Sequence, residues 1–242
     1  MMEMVTNSTY FGVVLTVGAF VVATFINKKF PNPFTTPLFL ATIMVIVVLL
    51  LFKIPYENYN TGAKYLTYFL VPVTVCFAVP MYRQLPLLKR HIWTILFAVF
   101  VGCVASVASI CIVVILFGLA DVIARSLVSI SVTTALAVGI TRKLGGIVSL
   151  TVSAVIVTGI LGASVSDKLC RWMRLKSPIS RGISIGNASH AAGTVKAMEM
   201  GAIEGSFSSL AIVLSGLMTA VLGPVAIWIY LGKYGTRYPM YA

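Results

Sequence analysis

Acidic residues are scarce in this chain. Six Asp and Glu stand against 18 Lys and Arg in 242 residues, and charged residues of both signs make up only 10%. A soluble domain carries about 25% charged residues, so there is too little charge here to cover a water-soluble globule. With 59% hydrophobic residues, a soluble enzyme and a disordered tail are both excluded. Histidine is scarcer still, at two. Two histidines and six carboxylates assemble no catalytic pair, so no enzyme is expected. The four cysteines include no CxxC pair, which leaves no disulfide framework, redox motif or metal spacing to argue from. No cofactor and no metal are expected. Cys76, Cys103 and Cys111 lie in apolar runs, while Cys170 falls in what reads as a basic loop facing a reducing cytosol. No basic stretch precedes the first apolar run, which argues against a cleaved signal peptide.

What the chain does have is long apolar runs. At about 20 residues per span, its length suits roughly seven to nine transmembrane or re-entrant helices, so the expected fold is an all-α polytopic membrane protein. The whole of 1–242 reads as one integral membrane domain, with scaffold-like helices in 1–120 and the polar motifs in 121–242. The net charge of +12 sits in short loops: Lys28-Lys29, Arg83 to Arg90, Arg142-Lys143 and Lys168 to Arg181. Loops of that kind set orientation by the positive-inside rule. A nucleic-acid partner would need the bases gathered on one folded face, and none is expected.

The runs are uneven. Tyr10–Ile26 and the purely aliphatic Pro37–Phe52 flank a turn at Phe30-Pro31-Asn32-Pro33. A tyrosine-rich polar loop, Lys53–Lys64, leads to Tyr65–Tyr82, which Pro72 and Pro80 interrupt. Ile92–Leu119 carries Gly102, Ser106 and Ser109, small residues that suit close helix packing. Then come the low-bulk stretch Ser126–Ile140, the span Gly145–Ser166, a basic loop Asp167–Arg181, and the polar Gly182–Met200. Phe207–Leu231, broken by Pro224, ends in a basic tail with Lys233 and Arg237. Plain alternation of these spans would leave the most basic loop, Lys168–Arg181, outside. The charge rule is restored if Ser126–Ile140 is re-entrant or discontinuous.

The segment 72–85 also aligns without gaps on 131–144, with six of fourteen positions identical and Pro80 opposite Gly139. Transporters are commonly built from such repeats, whose interrupted helices meet at a midplane site. Internal repeats with discontinuous helices are therefore expected here.

Polar groups are costly at membrane depth and mark candidate sites. One cluster is Ser131-Val132-Thr133-Thr134, whose hydroxyls suit a carboxylate or hydroxyl ligand; the alternative is bonding to their own or a neighbouring helix. The second is Gly186-Asn187-Ala188-Ser189-His190-Ala191-Ala192-Gly193-Thr194, followed by Lys196 and Glu199. His190 can donate, accept or titrate, or else serve as an interhelical hydrogen bond. Lys196 offers anion attraction, or simply pairs with Glu199 at helical spacing. Glu204-Gly205-Ser206-Phe207-Ser208-Ser209 is a weaker patch that reads as a capped helix start; Glu204, Ser208 and Ser209 are its candidates. Pro72, Pro80, Gly139, Gly186 and Gly193 are the expected helix-break or packing positions.

These three stretches resemble the LrgB/CidB family, through Ser131-Val-Thr-Thr-Ala-Leu-Ala, Gly186-Asn-Ala-Ser-His-Ala-Ala-Gly-Thr194 and Glu204-Gly-Ser-Phe-Ser-Ser-Leu-Ala211. Ala135 departs from the pattern, standing where proline is expected after the threonine pair. The resemblance implies a multi-pass protein of the bacterial plasma membrane, with two functional traditions. Bacterial members are antiholin- or holin-like proteins that modulate murein hydrolase activity, lysis and cell death beside a small LrgA/CidA-type membrane partner. Plastid relatives are similar to glycolate/glycerate transporters, and some bacterial pairs are associated with pyruvate uptake. Expected partners are thus a small monocarboxylate anion, membrane lipid, the small LrgA/CidA-type protein and further copies of the chain. The favoured expectation is a secondary carrier of 2-oxo or 2-hydroxy monocarboxylates, with Ser131, Thr133 and Thr134 on one side of its site. Asn187, Ser189, His190, Thr194 and Lys196 form the other. The rival is the antiholin- or holin-like role, which the close-packing pairs Gly182/Gly186 and Gly201/Gly205 also suit.

Overall fold

The computed structural model describes residues 8, 10–30, 35–69, 72 and 75–234. Of the positions singled out above, Pro31, Asn32, Pro33, Val73, Thr74 and Arg237 lie outside the described residues. Every regular element among the described residues is a helix, and the chain divides into two compact units, 1–77 and 78–242.

The first unit holds α1 (Phe11–Lys29), α2 (Pro37–Leu51) and α3 (Tyr56–Thr67). Pro37 opens α2, where its missing N–H costs nothing. Ala41 is the one buried residue of α2; Leu40, Met44 and Val45 beside it pack on Ala19 and Ala23 of α1, and Leu38, Ile43, Ile46, Val47, Leu50 and Leu51 are exposed. Such a helix needs lipid as its solvent. The tyrosine-rich stretch is not the loop its composition implied. It forms α3, with Glu57 in the first turn and Lys64 in the last, each favourably placed against the helix dipole. Gly12 lets α1 approach the α3 backbone at Tyr59 and Ala63, and Thr16 and Tyr59 join their hydroxyls at 2.8 Å.

The second unit runs α4 (Ala78–Arg83), α5 (Leu85–Arg90), α6 (Ile92–Leu116), α7 (Asp121–Leu127), α8 (Thr134–Leu144), α9 (Val148–Trp172), α10 (Pro178–Met200) and α11 (Ala202–Tyr234). Among the described residues four helices are long and apolar enough to cross a membrane: α1, α6, α9 and residues 202–232 of α11. Several boundaries differ from the run-based expectation. The Tyr65–Tyr82 run is not one helix, since α3 stops at Thr67 and α4 begins at Ala78. The loop expected over Asp167–Arg181 is mostly helix: α9 extends to Trp172, with Asp167 and Arg171 paired across one turn at 2.6 Å. Cys170 is buried within α9 rather than in a loop.

Helices α7 and α8 form a hairpin rather than a crossing. Ser126 near the end of α7 accepts from Ile147 N–H just past α8 (2.7 Å), and Arg125 donates to the Leu144 carbonyl (3.2 Å). Gly145, at φ 71°, ends α8 in the left-handed conformation that favours glycine. Buried hydroxyls then tie the hairpin to α9. Thr151 donates to the Ser126 carbonyl (2.7 Å) and meets Thr141 (2.9 Å), which meets Ser129 (3.2 Å). Replacing Thr151 by valine removes the donor to the Ser126 carbonyl and leaves Thr141 with Ser129 alone in a buried setting. The expected loss is about 1–3 kcal/mol, read as a lower thermal unfolding midpoint in detergent.

Helix α10 also folds back. A Cβ at Gly193 would lie 2.9 Å from Ile185 Cγ2 and 3.0 Å from its carbonyl, and Ile185 and Ala197 share one buried cluster. In a straight helix residues eight apart stand about 12 Å apart. The reversal is at His190, where φ is 43° and ψ is −132°. The arms 178–189 and 191–200 thus make a second hairpin. One face of α11 touches both arms: Glu204 and Ser208 abut Gly182 and Gly186, while Ser208 also bonds Thr194 and Gly205 abuts Met198.

Candidate functional site

Helix α9 shows how the two hairpins are disposed. Thr151 near its start packs on the base of the α7–α8 hairpin, and Cys170 near its end packs on Ile185 and Ala197 of the α10 hairpin. Those two positions are 19 residues apart, about 28 Å along the axis, close to the hydrocarbon thickness of a bilayer. The hairpins therefore enter from opposite ends of the spans. Helix α6 repeats the pattern. Ile95, Val99 and Cys103 cluster with Ile183, whereas Val107, Ile110 and Val114 cluster with Ala124 and Val128.

The two tips meet midway. The α7–α8 tip is the break between Leu127 and Thr134, and its Ile130 carbonyl accepts a hydrogen bond from His190 Nε2–H at the other tip, 2.7 Å away. Both tips also rest on α6, one turn apart. Ser131 bonds the Ser106 hydroxyl, and Asn187 lies against Gly102, where it accepts weakly from the Cys103 thiol (3.6 Å). On the α9 side, Gly162 faces Ser189 and Gly159 faces the His190 ring.

The candidates named from sequence fall into three groups. Ser131, Asn187, Ser189 and His190 sit at or beside the meeting of the tips, with Thr133 and Thr134 three and four residues beyond Ile130. Thr133 starts α8 without capping it through its side chain. Ala135 lies inside α8, and the break precedes it without any proline. A second group serves the contact between α10 and α11. Thr194 and Ser208 bond each other at 2.7 Å, fully buried, and Gly186 sits against Ser208 backbone. Gly193 is packed between the two arms of α10. Ser209 bonds its own helix at the Gly205 carbonyl, 2.8 Å.

The third group stands apart. Lys196 donates to Glu199 Oε2 (2.8 Å) on a partly exposed face of the second arm. Glu204 is buried beside Gly201 in the first turn of α11. The expected capped start is corrected: α11 begins at Ala202, and Ser206 bonds the carbonyls of Ala202 and Pro80 instead of capping. Gly139 breaks nothing, since it lies inside α8 with open space on its side-chain face. Pro80 lies inside the short α4 and Pro72 is exposed.

Sequence reasoning did not find the Ile130 carbonyl, which no side-chain pattern announces. It did not find Gly159 and Gly162 either, though two glycines three apart inside an otherwise apolar span were their signal.

Residues 16–229 match the LrgB-like family. The chain is 36% identical over 221 residues to proteins named antiholin-like protein LrgB from Bacillus mycoides (strain KBAB4), Bacillus cereus (strain B4264) and Bacillus anthracis (strain CDC 684 / NRRL 3495). Each match covers 91% of this chain and 96% of the relative. No solved structure matches it. Four apolar membrane-length helices and these full-length matches make it a multi-pass bacterial membrane protein, and the chain belongs to the LrgB-like family.

Proposed function

We propose that this protein is an antiholin-like component of the bacterial plasma membrane that restrains murein hydrolase activity and autolysis. The observation behind this reading is 36% identity, along 91% of the chain, to relatives bearing that name. It acts beside a small LrgA/CidA-type membrane partner and as a homo-oligomer. Deleting the gene is expected to speed detergent-induced autolysis of the source bacterium, and re-expression to restore the slower rate. Unchanged lysis in both strains sinks this reading.

The crossing of the hairpin tips favours a second reading that is compatible with the first: a secondary carrier for small monocarboxylates of the pyruvate and glycolate class. Its single supporting observation is the His190–Ile130 contact between two interrupted helices. Irregular backbone at membrane depth is tolerated where it is buried in protein or lines a cavity, and transporter sites are built from such breaks. The uncapped start of α8 supplies N–H groups and a positive dipole end for a carboxylate. Ser131, Thr133, Asn187 and Ser189 supply neutral polar groups around it. Arg83, Lys89 and Arg90 before α6, and Lys168 to Arg181 around the α9–α10 turn, lie at the end where the α10 hairpin enters, against Arg125, Arg142 and Lys143 at the other, and the more basic end is read as cytoplasmic.

In proteoliposomes, labelled pyruvate and glycolate are expected to enter saturably, with or without the small partner. Absence of saturable uptake in both conditions removes the carrier reading. Release of a large dye from the same vesicles would instead mark a holin-type hole.

A further inference from the structure

Helices α6 and α11 run side by side in the same direction, since Ile95 and Phe207 share one buried cluster and Val114 and Tyr230 another. Between them lies a groove of about 320 Å³, to which α6 contributes Val104, Val107, Cys111 and Ile115 and α11 contributes Leu222 and Tyr230. Apart from the Cys111 thiol and the Tyr230 hydroxyl, its lining side chains are hydrocarbon. That hydroxyl donates to Asp121 of α7 at 3.1 Å, which leaves the groove no free polar group to offer a solute. Ala108 and Ala226, one on each wall, leave room that larger side chains would fill.

Three exposed tryptophans set the depth of the groove. Trp93 in the first turn of α6 and Trp172 at the end of α9 stand at the end where the α10 hairpin enters, and Trp228 stands near the opposite end of α11. Tryptophan gathers at membrane–water interfaces. The hairpin tips meet α6 midway, at Gly102 and Ser106, and the groove starts at that level and continues toward Trp228. From Val104 to Ile115 is about 16 Å along the axis, about half the hydrocarbon thickness of a bilayer. Over that length the volume corresponds to about 20 Å² of cross-section, the girth of a single hydrocarbon chain, whereas a helix with its side chains is about 10 Å across.

We propose that this groove is a binding site for one acyl chain of a phospholipid, in the leaflet on the side where the α7–α8 hairpin enters. The proposal goes beyond both functional readings above and rests on neither. On a flat helix face an acyl chain touches protein on one side. Here the buried Val107 and Tyr230 form a floor, and the exposed Val104, Ala108, Val225 and Ile229 rise on either side. No water is present at that depth to fill the hollow, and the added carbon–carbon contacts, each small, accumulate along the chain.

The test places the full chain in vesicles of phosphatidylethanolamine and phosphatidylglycerol containing a phospholipid with a diazirine near the middle of one acyl chain. After illumination, labelling per exposed residue is expected to be about tenfold higher in 104–115 and 222–230 than on the exposed face of α9. Ala108→Phe fills the groove from an exposed position and is expected to bring that labelling down to the α9 level. Val157→Phe, on the exposed flank of α9, is expected to leave it unchanged. Even labelling of all the lipid-facing helices, or undiminished groove labelling in folded Ala108→Phe, overturns the proposal. So does a crosslink from Cys111 that captures a second copy or another membrane protein in place of the lipid. If Ala108→Phe does not fold, the smaller Ala108→Leu is read in the same way.

Discussion

Replacing Gly186 by leucine is expected to abolish recovery of folded protein, whereas Gly139→Leu is expected to be tolerated. Both glycines lie within helices among small and apolar residues, and their surroundings decide the difference. A Cβ at Gly186 would stand 2.8 Å from Ser208 Cα and Oγ and closer still to its carbonyl oxygen. Overpacking a core costs about 1–3 kcal/mol when side chains can shift aside. Here the obstacle is the backbone of α11, which can move only by separating from α10. That separation would also break the Thr194–Ser208 hydrogen bond and the close contact at Gly182. Against a total stability of about 5–15 kcal/mol, the combined loss is expected to be decisive. At Gly139 nothing lies within 4 Å of an added Cβ. Removing a mid-helix glycine there is expected to gain about 0.5–1 kcal/mol. The measurement is the monodisperse fraction on size-exclusion chromatography, with thermal midpoints for whatever is recovered. A Gly186→Leu protein with wild-type yield and midpoint would show that α10 does not pack on α11 in this way.

That contrast also marks what is legible in sequence. Composition identifies the membrane solvent, and apolar runs locate α1, α2 and α6 to within about three residues and α9 and α11 to within about six, because burial in lipid is read from hydropathy alone. Charge bookkeeping reaches further: the misplaced basic loop points to an irregular Ser126–Ile140, and that stretch is a hairpin. The second hairpin leaves no such trace. Its reversal falls on His190, a residue with no special turn preference, while Gly186 and Gly193 on either side serve packing. Such a turn is held by what surrounds it, namely the Ile130 carbonyl, Gly159 and the two arms of α10 against α11, and long-range contacts of that kind have no local pattern. The same limit applies to Pro80 and Gly139, which align in sequence but break nothing comparable: one is inside a six-residue helix and the other on the open face of α8.

Replacing His190 separates a structural pin from a binding group, provided that two variants are compared. At φ 43° the backbone of a residue with a side chain is strained by about 1–3 kcal/mol, and glycine is relieved of that strain. His190→Gly and His190→Ala both lose the bond to Ile130, worth about 1 kcal/mol, so they differ mainly in backbone freedom. His190→Gly is expected to have the higher thermal midpoint of the two, by about 1 kcal/mol in stability terms, close to or above the wild type. Saturable uptake is nevertheless expected to fall to the vesicle background in both. If His190 only pinned the tips together, the better-folded glycine variant would recover transport ahead of the alanine variant, since the backbone turn it favours is the one the tip requires. Loss of transport that ignores this gain in stability assigns the ring itself to the ligand. Wild-type uptake in either variant returns His190 to a structural role and moves the carrier's binding group elsewhere, while transport itself stands.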